Sequence, residues 1–182
     1  HMFRSIPVLA VLATIMIVVG CRVDFTEEIN ASESLLSVLT KVEESSEEID
    51  PRLVKQYVSN VSEKCLTVER ELTDTLELEQ AQMLVRFCSL KEHFQSCLDR
   101  KELIDAELLK TRNQLFNLKS DLKENRAIKD SVNLYIEQEF LFVESLGEGV
   151  DQVVVELNSC FETYTELKDE IDRLLIALPN KD

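Results

Sequence analysis

The sequence predicts an all-α protein, an elongated helical bundle dominated by a long antiparallel coiled-coil hairpin. Between Pro51 and Gly147 there is neither Gly nor Pro, whereas a β or mixed fold of that length would need turn residues. Glu, Lys, Leu, Gln and Ala supply high helix propensity, and β-branched residues sit at spaced apolar positions rather than in alternating runs. From Leu76 onward the apolar residues follow a heptad. With Phe87 as position a, the a sites continue through Phe94, Lys101, Leu108, Leu115, Leu122, Lys129, Ile136, Val143, Val150, Leu157, Tyr164 and Ile171 to Leu178. The d sites include Leu90, Cys97, Ile104, Thr111, Leu118, Asn125, Val132, Glu139, Leu146, Val153, Cys160 and Leu167, the pattern of knobs-into-holes packing.

Taken in chain order, residues 1–20 precede the fold. His1 before Met2 reads as a tag remnant, and Met2-Phe3-Arg4 leads into an apolar run from Ile6 to Gly20. A charged start, an apolar core of roughly 7 to 15 residues and small residues at its end make a secretory signal peptide; a spanning helix needs about 20. Val18-Val19-Gly20-Cys21 resembles the lipobox of bacterial lipoproteins, in which a branched aliphatic, a small or aliphatic residue and a Gly or Ala precede the Cys that is acylated and becomes the new N-terminus. The resemblance covers residues 2–21. It implies removal of residues 1–20, acyl chains such as palmitate on Cys21, a tether over 21–25 and attachment to a membrane of the bacterial cell envelope. Arg22 follows Cys21 in place of the Asp associated with inner-membrane retention in enteric bacteria, which points to the outer membrane.

One helical domain is expected over 26–182, with helices at about 26–48, 52–72, 75–124 and 131–178. The first places Leu35, Leu39 and Val42 at helical spacing and begins with Glu27 and Glu28, which suit the positive end of a helix dipole. It stops before Asp50-Pro51, where Asp50 can cap and Pro51, lacking an N–H, can open the second helix. That helix carries Val54, Val58, Val61, Cys65, Val68 and Leu72 on one stripe. A turn follows near 73–75, with Asp74 as N-cap and Glu77 completing a capping box. The heptad passes through Gly147-Glu148-Gly149 in phase, so these glycines are expected within a helix.

The midpoint of Leu76 and Leu178 falls at residue 127, where the adjacent d and a sites are Asn125 and Lys129 and a fold-back costs least. Folding there, with Asp130 or Ser131 capping the returning helix, sets positions summing to 254 opposite one another, such as Leu108 with Leu146, Ile104 with Val150 and Phe87 with Leu167. The two earlier helices would cover the open side. The alternative is one continuous helix of about 150 Å, whose seam needs partner chains and makes a homo-oligomer.

Besides Cys21 there are four cysteines, Cys65, Cys88, Cys97 and Cys160. Cys88 and Cys97 lie nine residues apart in one expected helix, about 13.5 Å by rise and beyond the roughly 7 Å reach of a disulfide. The turn at 73–75 brings Cys65 near Cys88 and the fold-back brings Cys97 within one layer of Cys160, so Cys65–Cys88 and Cys97–Cys160 are the expected bridges, against the alternative of four buried free thiols. There is no C-x-x-C, and zinc and thiol redox catalysis are disfavoured.

The chain carries 35 acidic and 20 basic residues, a formal charge of −15. That sign disfavours nucleic acid and anionic headgroups as partners, so a membrane would be held through acyl chains. No phosphate loop, nucleophile elbow, zincin motif or EF-hand occurs, and no cofactor or metal is implied. His93 flanks an a-site phenylalanine and reads as a surface residue, and neighbours such as Glu43-Glu44 and Glu47-Glu48 point around a helix rather than across a cleft, so no catalytic residues are assigned and an enzyme is not expected. Glu28-Ile29-Asn30-Ala31-Ser32 resembles a bacterial N-glycosylation sequon, while Asp74-Thr75-Leu76 and Asp130-Ser131-Val132 resemble the O-glycosylation motif of Bacteroidetes. Lys101, Thr111 and Glu139 interrupt the seam and need partners, set register or mark a packing site. The expected role is a lipid-anchored envelope protein acting as spacer, scaffold or docking surface for another envelope component. The alternative is a compact helical module that binds a host factor, toxin or small molecule.

Overall fold

Four helices organise residues 23–71 and 76–177, the part of the chain that the computed structural model describes. They are α1 (Thr26–Glu47), α2 (Pro51–Glu71), α3 (Leu78–Lys123) and α4 (Lys129–Ala177), and no strand occurs among the described residues. The fold is an all-α helical bundle. Arg86 pairs with Glu166, Arg100 with Glu156, and Ile104 reaches Gly149, so residues met along α3 find their partners on α4 in descending order. With 46 residues, α3 runs about 70 Å.

α1 and α2 follow one another as a third column. α1 packs on α3 and α4 near the α3–α4 turn; α2 packs farther along, chiefly on α3. The expected picture of a two-helix seam with two covering helices therefore becomes a core shared by three columns. Leu39, Val54, Val61 and Val68 are as fully buried as Phe87, Phe94, Leu115, Val143 and Ile171. On α3 every a site from Phe87 to Leu122 is buried, Lys101 included.

The break between α1 and α2 follows from Asp50-Pro51. Asp50 Oδ1 accepts the Arg52 N–H at 2.9 Å, satisfying one of the donors a helix start leaves open, and Pro51 has none to satisfy. At the start of α1 the equivalent role falls to Asp24, whose carboxylate accepts the Thr26 N–H at 3.0 Å and the Thr26 hydroxyl at 2.6 Å. α3 departs from expectation. Its cap is Glu77, which forms a capping box with Gln80, because the helix opens at Leu78 rather than at 75. Asp74 and the expected turn at 73–75 lie outside the described residues.

α3 ends in a Schellman motif. Asn125 takes a left-handed φ of 55°, its N–H reaches the Leu122 carbonyl at 3.1 Å, and the Arg126 N–H reaches the Asp121 carbonyl at 2.8 Å. Asn tolerates this conformation better than most residues with a Cβ. α4 then begins at Lys129, so neither Asp130 nor Ser131 precedes it; the Ser131 N–H instead closes a turn on the Ile128 carbonyl at 3.1 Å. Gly147 and Gly149 both lie inside α4, where they let neighbours approach closely. A Cβ on Gly149 would stand 3.3 Å from Ile104 Cδ1, and one on Gly147 would stand 3.4 Å from Val42 Cγ2.

Candidate functional site

The chain enters the bundle beside the α3–α4 turn. Phe25 is buried with Leu122 and Val132, and Lys129 Nζ donates to the Asp24 carbonyl at 3.3 Å, so Asp24 and Phe25 are fixed to this end. Cys21 itself lies outside the described residues. No described helix is long and apolar enough to cross a membrane.

Cys65 and Cys88 form a disulfide that ties α2 to α3. Cys97 and Cys160 are not joined; both are buried free thiols, which corrects the expected second bridge. The heptad explains why. Both residues occupy d sites, and a register that sets d against a displaces them by three residues, about 4.5 Å along the axis. Cys97 Sγ contacts Glu156 Oε2 and Arg100 Nη2, at 3.6 Å each. Burial pushes both thiols up, and with the added effect of Cys97 and Glu156 that of Cys160 rises to about 11, which suppresses thiolate chemistry at neutral pH.

Beneath α2 lies an aromatic cluster. The Tyr57 ring sits 5.6 Å from Phe94, 4.8 Å from Phe161 and 4.8 Å from Tyr164 by centroids. The Tyr164 hydroxyl donates to Asn60 Oδ1 at 2.7 Å, and Lys64 pairs with Asp172, linking α2 to α4. α1 is held differently. Lys101, only 8% exposed at its a site, donates to Ser46 Oγ at 3.3 Å and Asp105 Oδ2 at 2.7 Å, while Ser46 Oγ donates to Asp105 Oδ1 at 2.6 Å. Arg112 pairs with Glu43 and donates to Thr40 Oγ1 at 3.0 Å, and Lys119 pairs with Glu33 at 2.7 Å. Of the other interrupting residues, Thr111 is fully buried with its hydroxyl unpartnered. Glu139 lies beside Tyr135, whose phenol is pushed up to about 12 first by burial and then by that carboxylate.

Neither this network nor the thiols make a cleft where an acid faces a base. His93 is exposed, and no group of His, Cys, Asp or Glu among the described residues could hold a metal ion. Asn30 and Ser131 are exposed positions of α1 and α4, whereas Thr75 lies outside the described residues. An apolar groove of about 500 Å³ runs between α1 and α4, lined by residues including Leu35, Val38, Ile136, Phe140 and Leu141. Heptad arithmetic missed it because Phe140 and Leu141 occupy e and f positions, which a two-helix seam leaves to solvent. Comparison with protein-family models, curated proteins and solved structures finds no match to this chain.

Proposed function

We propose that this is a lipid-anchored protein of the bacterial cell envelope, held at the outer membrane, whose helical bundle serves as a spacer, scaffold or docking surface for another envelope component. The observation that carries the reading is Val18-Val19-Gly20-Cys21 at the end of an apolar run, followed within five residues by the first turn of α1. Acyl chains on Cys21 would fix one end of a bundle about 70 Å long. Its surface carries long polar and acidic faces suited to contact rather than to chemistry. The Cys65–Cys88 disulfide agrees with an oxidising compartment.

The test is Cys21→Ser in the exporting cell. Loss of acyl labelling and release from the membrane fraction are expected, and unchanged labelling and fractionation would defeat the reading. Crosslinking in intact membranes followed by pull-down then identifies the docked component; a spacer or scaffold yields a protein partner.

A further inference from the structure

The two ends of the bundle expose different apolar side chains. Away from the α3–α4 turn the exposed large apolar residues are scattered aliphatics such as Leu53, Leu66, Leu78, Val85 and Val155. Every exposed phenylalanine among the described residues, Phe116, Phe140 and Phe142, belongs to the end that carries the turn. By helix rise all three lie within about 20 Å of it. Ile128 stands 73% exposed in the turn itself. Leu134 and Leu141 are 58% and 64% exposed, seven residues apart on the face of α4 opposite its buried Val132 and Val143. Leu141 lines the groove with Phe140 of the same helix and Val38 of α1, and Leu134, two turns before Leu141 on one face, extends this apolar flank toward the turn.

The geometry points to this flank, Ile128–Leu134–Phe140–Leu141, as a surface that beds against the lipid bilayer, so that the anchored bundle leans on the membrane instead of standing upright. This rests on the anchor reading above. Cys21 lies four positions before the buried Phe25, a separation of at most about 14 Å. A bilayer holding Cys21 is therefore within reach of the flank, and an upright bundle would leave these side chains in water. Phe and Leu on one helix face are the side chains that bed at the boundary between headgroups and acyl chains.

The acylated full chain, reconstituted into vesicles of phosphatidylethanolamine with a minor fraction of phosphatidylglycerol, is labelled with a nitroxide in the variants L141C and L66C, each checked for helicity by circular dichroism. Both variants should float with the vesicles. The label at 141 should collide several-fold more with oxygen than with a water-soluble nickel chelate, and the label at 66, on the far part of α2, should show the reverse. A floating protein with both labels in water overturns the lean and leaves the anchor intact. A label at 141 shielded from both reagents, as between two copies of the chain, also overturns it. A chain that carries no acyl group and does not float defeats the anchor reading and this inference together.

Discussion

The third column of the bundle is built twice, by two different means. α1 is pinned by polar groups: Arg112 and Lys119 reach across to Glu43 and Glu33, and the Lys101–Ser46–Asp105 cluster fixes its last turn. α2 is pinned by an aromatic cluster and a covalent bond, with Tyr57 set among Phe94, Phe161 and Tyr164 and Cys65 joined to Cys88. Polar contacts fix rotation and register but contribute little net free energy where they are exposed. Buried rings contribute more, through the area they take from water. Polar bridges to α3 are therefore concentrated on α1, and the ring cluster and the crosslink on α2.

The largest break in this comparison is Phe94→Ala. The ring is fully buried between Tyr57 and Phe161, and its loss should cost about 3 to 5 kcal/mol, read from the midpoint of denaturant unfolding. A cost below about 1 kcal/mol would contradict the role given to the cluster. Next comes removal of the disulfide, whose cysteines are 23 residues apart; Cys65→Ser with Cys88→Ser should cost about 3 kcal/mol by restoring chain entropy to the unfolded state. Hydrogen exchange should then quicken along α2 more than along α1, and an equal rise in both would show that the column behaves as one piece.

The smallest effect separates the polar side. The Glu33 carboxyl is held below its ordinary 4.5 chiefly by the hydrogen bond from Lys119, and Asp24 and Asp50 lie below their ordinary 3.8 through hydrogen bonds from Thr26 and from the Arg52 N–H respectively. Lowered folded values mean that these groups stabilise the protein above their unfolded pKa values. That contribution is lost as pH falls through the lower folded values, so stability should decline between about pH 5 and 3. Lys119→Met removes the Glu33 share, and the pH dependence of its unfolding midpoint in that window should be shallower than that of the parent. An identical slope would exclude the pair as a contributor.

How legible this was in the sequence varies along the chain. Heptad spacing identified the buried side chains of α3 and α4, since a strict repeat leaves few ways to bury them, and Asp50-Pro51 marked a boundary through local chemistry alone. The Cys65–Cys88 bridge followed from spacing together with a turn. What stayed hidden depends on a third column. Asp105, Arg112 and Lys119 occupy e positions, which a two-helix seam assigns to its flank; they become bridges only when α1 lies alongside. Of the two partners of Lys101, Asp105 lies one turn on in the same helix, while Ser46 is 55 residues away in sequence and arrives only with α1. The second expected bridge does not form because adjacency by layer is coarser than the geometry a disulfide demands.

The contacts of α1 also bear on the order of assembly. Its partners on α3 come late in the chain: Arg112 is 69 residues beyond Glu43, and Ser46 meets Asp105 59 residues on. Synthesised first, α1 can bury Leu35, Leu36 and Leu39 only after α3 and the first turns of α4 exist to receive them. Until then its apolar stripe has no surface to cover. For the export proposed above, a chain still open at its N-terminal end is the form that a secretion channel would thread.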